Sequence, residues 1–124
     1  MNHLRMALEE TGLKKGWVGV DLDGTLAYYN SGDGVAQIGP PIEKMVAFVK
    51  HMLDEGIEVR IMTARVGSEN EAANEAQREM ITKWTESILG QALAVTCKKD
   101  PGMIVLYDDR AIQVISNMGE IVEA

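Results

Sequence analysis

"VGVDLDGTLA", residues 18–27, runs an apolar stretch directly into two aspartates, then a glycine and a threonine. A β-rich run ending at Asp21 and Asp23 sets two like charges side by side at the end of a buried strand. Partial burial strengthens their repulsion. The compensation must come from elsewhere in the chain.

Working outward, the chain alternates strand and helix signals. Residues 2–13 read as a short helix and 17–20 as the first strand, ending at the aspartates. "GTLAYYNSGDGVAQIGP" (24–40), rich in glycine, reads as an irregular flap. Pro41 then opens a helix whose apolar face holds Ile42, Met45, Val46, Val49, Met52 and Leu53, and Gly56 stops it. "IEVRIMT" (57–63) is the second strand, with Glu58 and Arg60 near its solvated beginning. Ser68 and Glu71 form a capping box that opens a helix through about Leu89. The face of that helix is read as Ala73, Ala76, Met80, Trp84 and Ile88, with Gly90 closing it. Residues 93–97 and 103–107 give a third and a fourth strand, and 111–115 a short fifth. This rhythm predicts one α/β domain over residues 1–124: a three-layer, Rossmann-like fold with a mostly parallel central sheet covered on both faces.

The bulk properties narrow the function classes. A net charge of −7 disfavours nucleic acid and anionic membranes, which need basic patches, yet a small phosphorylated substrate is compatible with it. Cys97 is the single cysteine, so no intramolecular disulfide forms, and "MNHLRMALEETGLKKG" lacks the apolar run of a signal peptide. No apolar stretch approaches a membrane span, and a cytoplasmic location is expected. His3 and His51 have no companion ligands and read as solvated side chains.

Parallel sheets bind ligands at the carboxyl ends of their strands. Here those ends are Asp21 and Asp23, Thr63, the run before Lys98 and Lys99, and Asp108 with Asp109. Carboxylates converging with one ammonium describe a hard-cation site, where Mg²⁺ removes the repulsion and leaves room for phosphate.

These residues resemble the haloacid dehalogenase superfamily of phosphotransferases. "VGVDLDGTL" matches its D-x-D-G-T motif, "VRIMT" its strand ending in Thr or Ser, "CKK" its lysine, and "VLYDD" its acidic pair. The likeness spans about residues 16–115, and "YDDR" is similar to small phage and bacterial members. It implies that Asp21 is the nucleophile that forms an aspartyl-phosphate and Asp23 the general acid, then base. It implies Mg²⁺ held by the Asp21 side chain, the Asp23 main-chain carbonyl and Asp108, with Asp109 orienting the ion's water. Thr63 would bond a phosphoryl oxygen and a lysine, Lys99 in preference to Lys98, would neutralise charge in the transition state.

No segment is long enough for a cap domain, so the site should be open, suiting a large external substrate or closure by another subunit of a homo-oligomer. The flap, with Tyr28, Tyr29 and Asp33, would face the substrate. Arg65 and Arg110 flank the site and either grip a substrate anion or pair with neighbouring carboxylates. Two other readings compete with the phosphatase. One is a receiver-like phospho-signalling module, whose acceptor aspartate would stand where Thr63 does. The other is a catalytically idle binding protein of the same fold.

Overall fold

The computed structural model describes residues 15–30, 32 and 34–123. The helix expected at 2–13, together with His3 and Asp33, lies outside the described residues. In order the elements are β1 (Trp17–Asp21), α1 (Glu43–Asp54), β2 (Glu58–Met62), a 3₁₀ turn (Ala64–Val66), α2 (Glu71–Leu89), β3 (Ala94–Thr96) and β4 (Met103–Tyr107). The four strands form one sheet in the order β3-β2-β1-β4, every pair parallel, as the α/β reading requires.

Alternation along the strands decides what is buried. Val18 stands beside Val59, and Val20 beside Ile61, which in turn pairs with Val95. All five are buried and join one cluster with Val49 and Met52 of α1 and Ile81 and Leu89 of α2. Each such side chain contributes about 1.5–3 kcal/mol when removed from water. Phe48 of α1 meets Tyr107 of β4 edge-on, with ring centroids 5.1 Å apart.

The next residues along each strand face the other way. There Trp17 is fully buried beneath the Arg60 guanidinium, 4.7 Å from the ring centroid. Its indole N–H donates to Asp100 Oδ1 at 2.7 Å, fixing the segment that carries the chain from β3 across to β4. Within the described residues the sheet thus has one helical layer, formed by α1 and α2 together. None of the described helices is long and apolar enough to cross a membrane.

Three local expectations change. The side-chain cap of α2 is Asn70, which accepts from the Ala73 N–H at 3.0 Å. Ser68 instead donates its hydroxyl to Asn74 Oδ1 at 2.7 Å, since buried Asn74 needs partners. The buried face of α2 is Asn74, Ile81, Thr85 and Leu89, while Ala73 and Ala76 are exposed. Thr85 is tolerated there because its hydroxyl accepts from the Leu93 N–H and donates to Thr82 O.

The third change is at 111–115, which adds no strand to the sheet. Asn117 (φ 63) and Gly119 (φ 69) turn the chain back, so Val114 pairs antiparallel with Ile121 in a small separate hairpin.

Candidate active site

The chain steps from β1 to β2 to β3 in one direction and then places β4 on the opposite side of β1. The carboxyl ends of β1 and β4 therefore flank the point where the strand order reverses, the place where such sheets open a crevice. Asp21 is the last residue of β1, and Asp108 follows β4 directly.

The turn after β1 is built by its leucines. Leu22 and Leu26 are fully buried, and the Leu22 carbonyl accepts from the N–H groups of Leu26 and Ala27 at 3.0 and 2.9 Å. Gly24 sits at φ +88, and a Cβ there would lie 2.5 Å from Asp109 Oδ2. Thr25 follows, nearly buried. Its hydroxyl accepts from the Asp109 N–H at 3.1 Å and lies 3.2 Å from Asp109 Oδ1 and 3.4 Å from Asp21 Oδ2. Thr25, to which the motif alone assigns no role, laces the β1 and β4 loops together.

Asp21, Asp108 and Asp109 bring carboxylate oxygens within 4.8 Å of one another. Burial, a hydrogen bond shared with Asp109, and the negative charges of Asp108 and Asp109 push the Asp21 carboxyl up to about 7. Three crowded, hard oxygen donors of this kind fit a small divalent cation, which would replace the shared proton as the compensating charge. Asp23 stands apart from this group. Arg65 Nε and Nη2 bond its two carboxylate oxygens at 2.7 and 2.8 Å in a fork. Of the two readings left open for Arg65, the structure takes the ion pair.

Thr63 is buried at the end of β2, where its hydroxyl accepts from the Arg65 N–H at 3.1 Å and caps the 3₁₀ turn. It lines a cleft of about 550 Å³ together with Asp21, Asp23, Asp108 and Asp109. Tyr29 and Arg110 line the same cleft, and Cys97 is the residue that β3 delivers to it. Lys98 and Lys99 are both exposed, and neither is among the lining residues. Beyond Thr96 the chain turns, the Lys98 N–H donating to the Thr96 hydroxyl at 3.1 Å. Arg110, whose N–H donates to Asp108 Oδ1, is the cationic residue other than Arg65 that lines the cleft. His51 is exposed on α1.

No family model matches the sequence, and no curated protein does. Among solved structures the chain is similar to a conserved protein from Bacteroides thetaiotaomicron. The TM-score is 0.52 at 19% identity, with 79% of this chain and 78% of that chain covered. At this identity the likeness is one of fold.

Proposed function

We propose that this protein is a Mg²⁺-dependent phosphomonoester hydrolase of the haloacid dehalogenase type, working through an aspartyl-phosphate on Asp21. One observation carries the reading. Two carboxylates two residues apart at a strand end have opposite surroundings: Asp21 among other acids, Asp23 in the fork of an arginine. A hydrolase needs two carboxylates doing different work, one as nucleophile and one for proton transfer.

Asp21, Asp108 and Asp109 would hold the ion, which when bound offsets their charge and that of the incoming phosphate. An Asp21 oxygen attacks phosphorus, the bond to the ester oxygen breaks, and Asp23, which enters the step as the carboxylic acid after taking a proton from solvent, delivers that proton to the departing alkoxide. Water then attacks the phosphorus of the aspartyl-phosphate, Asp23 takes the water's proton, and Asp21 leaves as carboxylate with inorganic phosphate released. The Thr63 hydroxyl is free to donate to a phosphoryl oxygen, since the hydrogen bond it makes with Arg65 uses it as acceptor. To Arg110 we assign the neutralisation of charge on the transferring group.

The test is phosphate release from an aryl phosphate with Mg²⁺, alongside covalent labelling. Activity should vanish in chelator and in Asp21→Asn. Asp23→Asn should lose turnover of alkyl phosphates yet accumulate label on Asp21 from an acyl phosphate. Label on Asp108, or on no aspartate, rejects the assignment.

A further inference from the structure

The side chain of Arg65 is 4% exposed, and all five of its N–H donors are engaged. Two form the fork on Asp23. Of the others, Nη1 reaches the Val35 carbonyl and Gln77 Oε1, both at 3.2 Å, and Nη2 reaches the Gln37 carbonyl at 3.0 Å. Gln77 of α2 adds its own bond, Nε2 to the Val35 carbonyl at 2.9 Å. One guanidinium therefore joins three parts of the chain: the loop after β1, the flap at 35–37, and α2. Binding a phosphate would require Arg65 to release either the flap or Asp23. A buried cation with every donor matched is a joint, not a substrate grip.

We propose that Arg65 is a positioning residue that couples the flap to the proton-transfer carboxylate. By holding both Asp23 oxygens it sets the rotamer from which Asp23 meets the ester oxygen. With its remaining donors it holds Val35, which lines the cleft, at the edge of the site. Coupling through a shared group is reciprocal, so loosening either end should loosen the other. The fork is the essential part, because lysine keeps the charge but places it at a single point.

The consequence for turnover rests on the phosphatase reading; the consequence for the flap does not. Arg65→Lys should lower kcat on an alkyl phosphate at least about tenfold, part of the 10²–10⁴ that general acids contribute. On an aryl phosphate with a good leaving group it should lose less than about threefold, because that oxygen departs without a proton. In an Asp23→Asn background Arg65→Lys should add no further loss. Independently of activity, chymotrypsin cleavage at Tyr28 or Tyr29 should be at least about tenfold faster in Arg65→Lys, because the flap opens locally. Asp23→Asn should speed the same cleavage, and the double variant should be no faster than Arg65→Lys alone.

Equal losses on both phosphates would overturn the positioning role, leaving only a general structural effect. Unchanged flap cleavage in both single variants, with melting curves confirming the fold, would overturn the coupling. If the wild-type protein hydrolyses neither ester, the phosphatase reading fails, and the cleavage series alone decides whether Arg65 couples flap and carboxylate.

Discussion

Asp109→Asn should stabilise the cation-free protein and blunt its response to Mg²⁺. The Asp109 carboxylate lies within 4.8 Å of both Asp21 and Asp108, and at that distance two charges repel by about 3 kcal/mol at an effective dielectric of about 20. Asp109 is exposed, so solvent and salt reduce this to about 1 kcal/mol for the pair of contacts together. Asparagine removes the charge but keeps an oxygen for the Thr25 hydroxyl, and its backbone N–H still donates to Thr25. At pH 8, above the value near 7 that Asp21 reaches, Asp21 is ionised in the native protein and the relief should be expressed. For a domain of this length 1 kcal/mol corresponds to about 3–6 °C in Tm. The assay is thermal unfolding in low salt, with chelator and then with Mg²⁺. Wild-type protein should gain about 2.7 kcal/mol at a hundredfold excess of Mg²⁺ over its Kd, and the variant, lacking one hard donor, should gain far less. A lower Tm for the variant in chelator would refute the repulsion argument. An undiminished Mg²⁺ shift would show that Asp109 takes no part in holding the ion.

Three other outcomes follow from the same geometry. Gly24→Ala should cost about 1–3 kcal/mol in chemical denaturation and abolish turnover, because it forces a side chain to positive φ and into Asp109. Arg110→Ala should lower kcat by about 10²-fold or more if it neutralises charge as proposed, while Lys99→Ala changes it little; the reverse order would return the role to the lysine. The indole N–H of Trp17 holds the Asp100 carboxyl below its ordinary value of 3.8, with smaller help from the Gly102 N–H and Arg60. A lowered carboxyl stabilises the fold above the unfolded value and loses that contribution as pH falls through the folded one. Asp100→Asn should therefore lower Tm at pH 7, with the difference from wild type shrinking below about pH 4, as read by melts across pH.

The central strands were legible because composition and burial agree in them. "WVGV" and "MIVLY" are apolar on both faces, as buried parallel strands are, and the glycines at 56 and 90 do stop their helices. The face of α2 was misread because hydrophobic spacing assigns small apolar residues inward. Asn74 and Thr85 go inside on the strength of hydrogen bonds to Ser68 and Leu93, partners that periodicity does not contain. The supposed fifth strand failed for a similar reason. "AIQVI" has strand composition, but the turn at Asn117–Gly119 hands it a nearer partner than the sheet edge.

In the site, the meeting of Asp21, Asp108 and Asp109 was legible and the partners of the basic residues were not, and the cause is the path of the chain. A strand-end acid keeps its place because the strand aims it, whereas Lys99 sits beyond β3 in a segment whose direction depends on where β4 must begin. Arg65 depends on Asp23, 42 residues earlier, and on flap carbonyls no motif names. The register of β4 shows how finely the acids are set. Trp17 pairs with Met103 but Val18 pairs with Val105, so one residue, Ile104, is inserted opposite β1. Without that irregularity the register would run on to bring Tyr107 beside Asp21. With it, Val20 faces Tyr107 and the next position brings Asp108 beside Asp21, both continuing the side of the sheet shared by Gly19 and Leu106. The acidic group thus rests on an irregularity at the opposite end of the strand, held where the Gly102 carbonyl accepts the Trp17 N–H and Asp100 takes its indole.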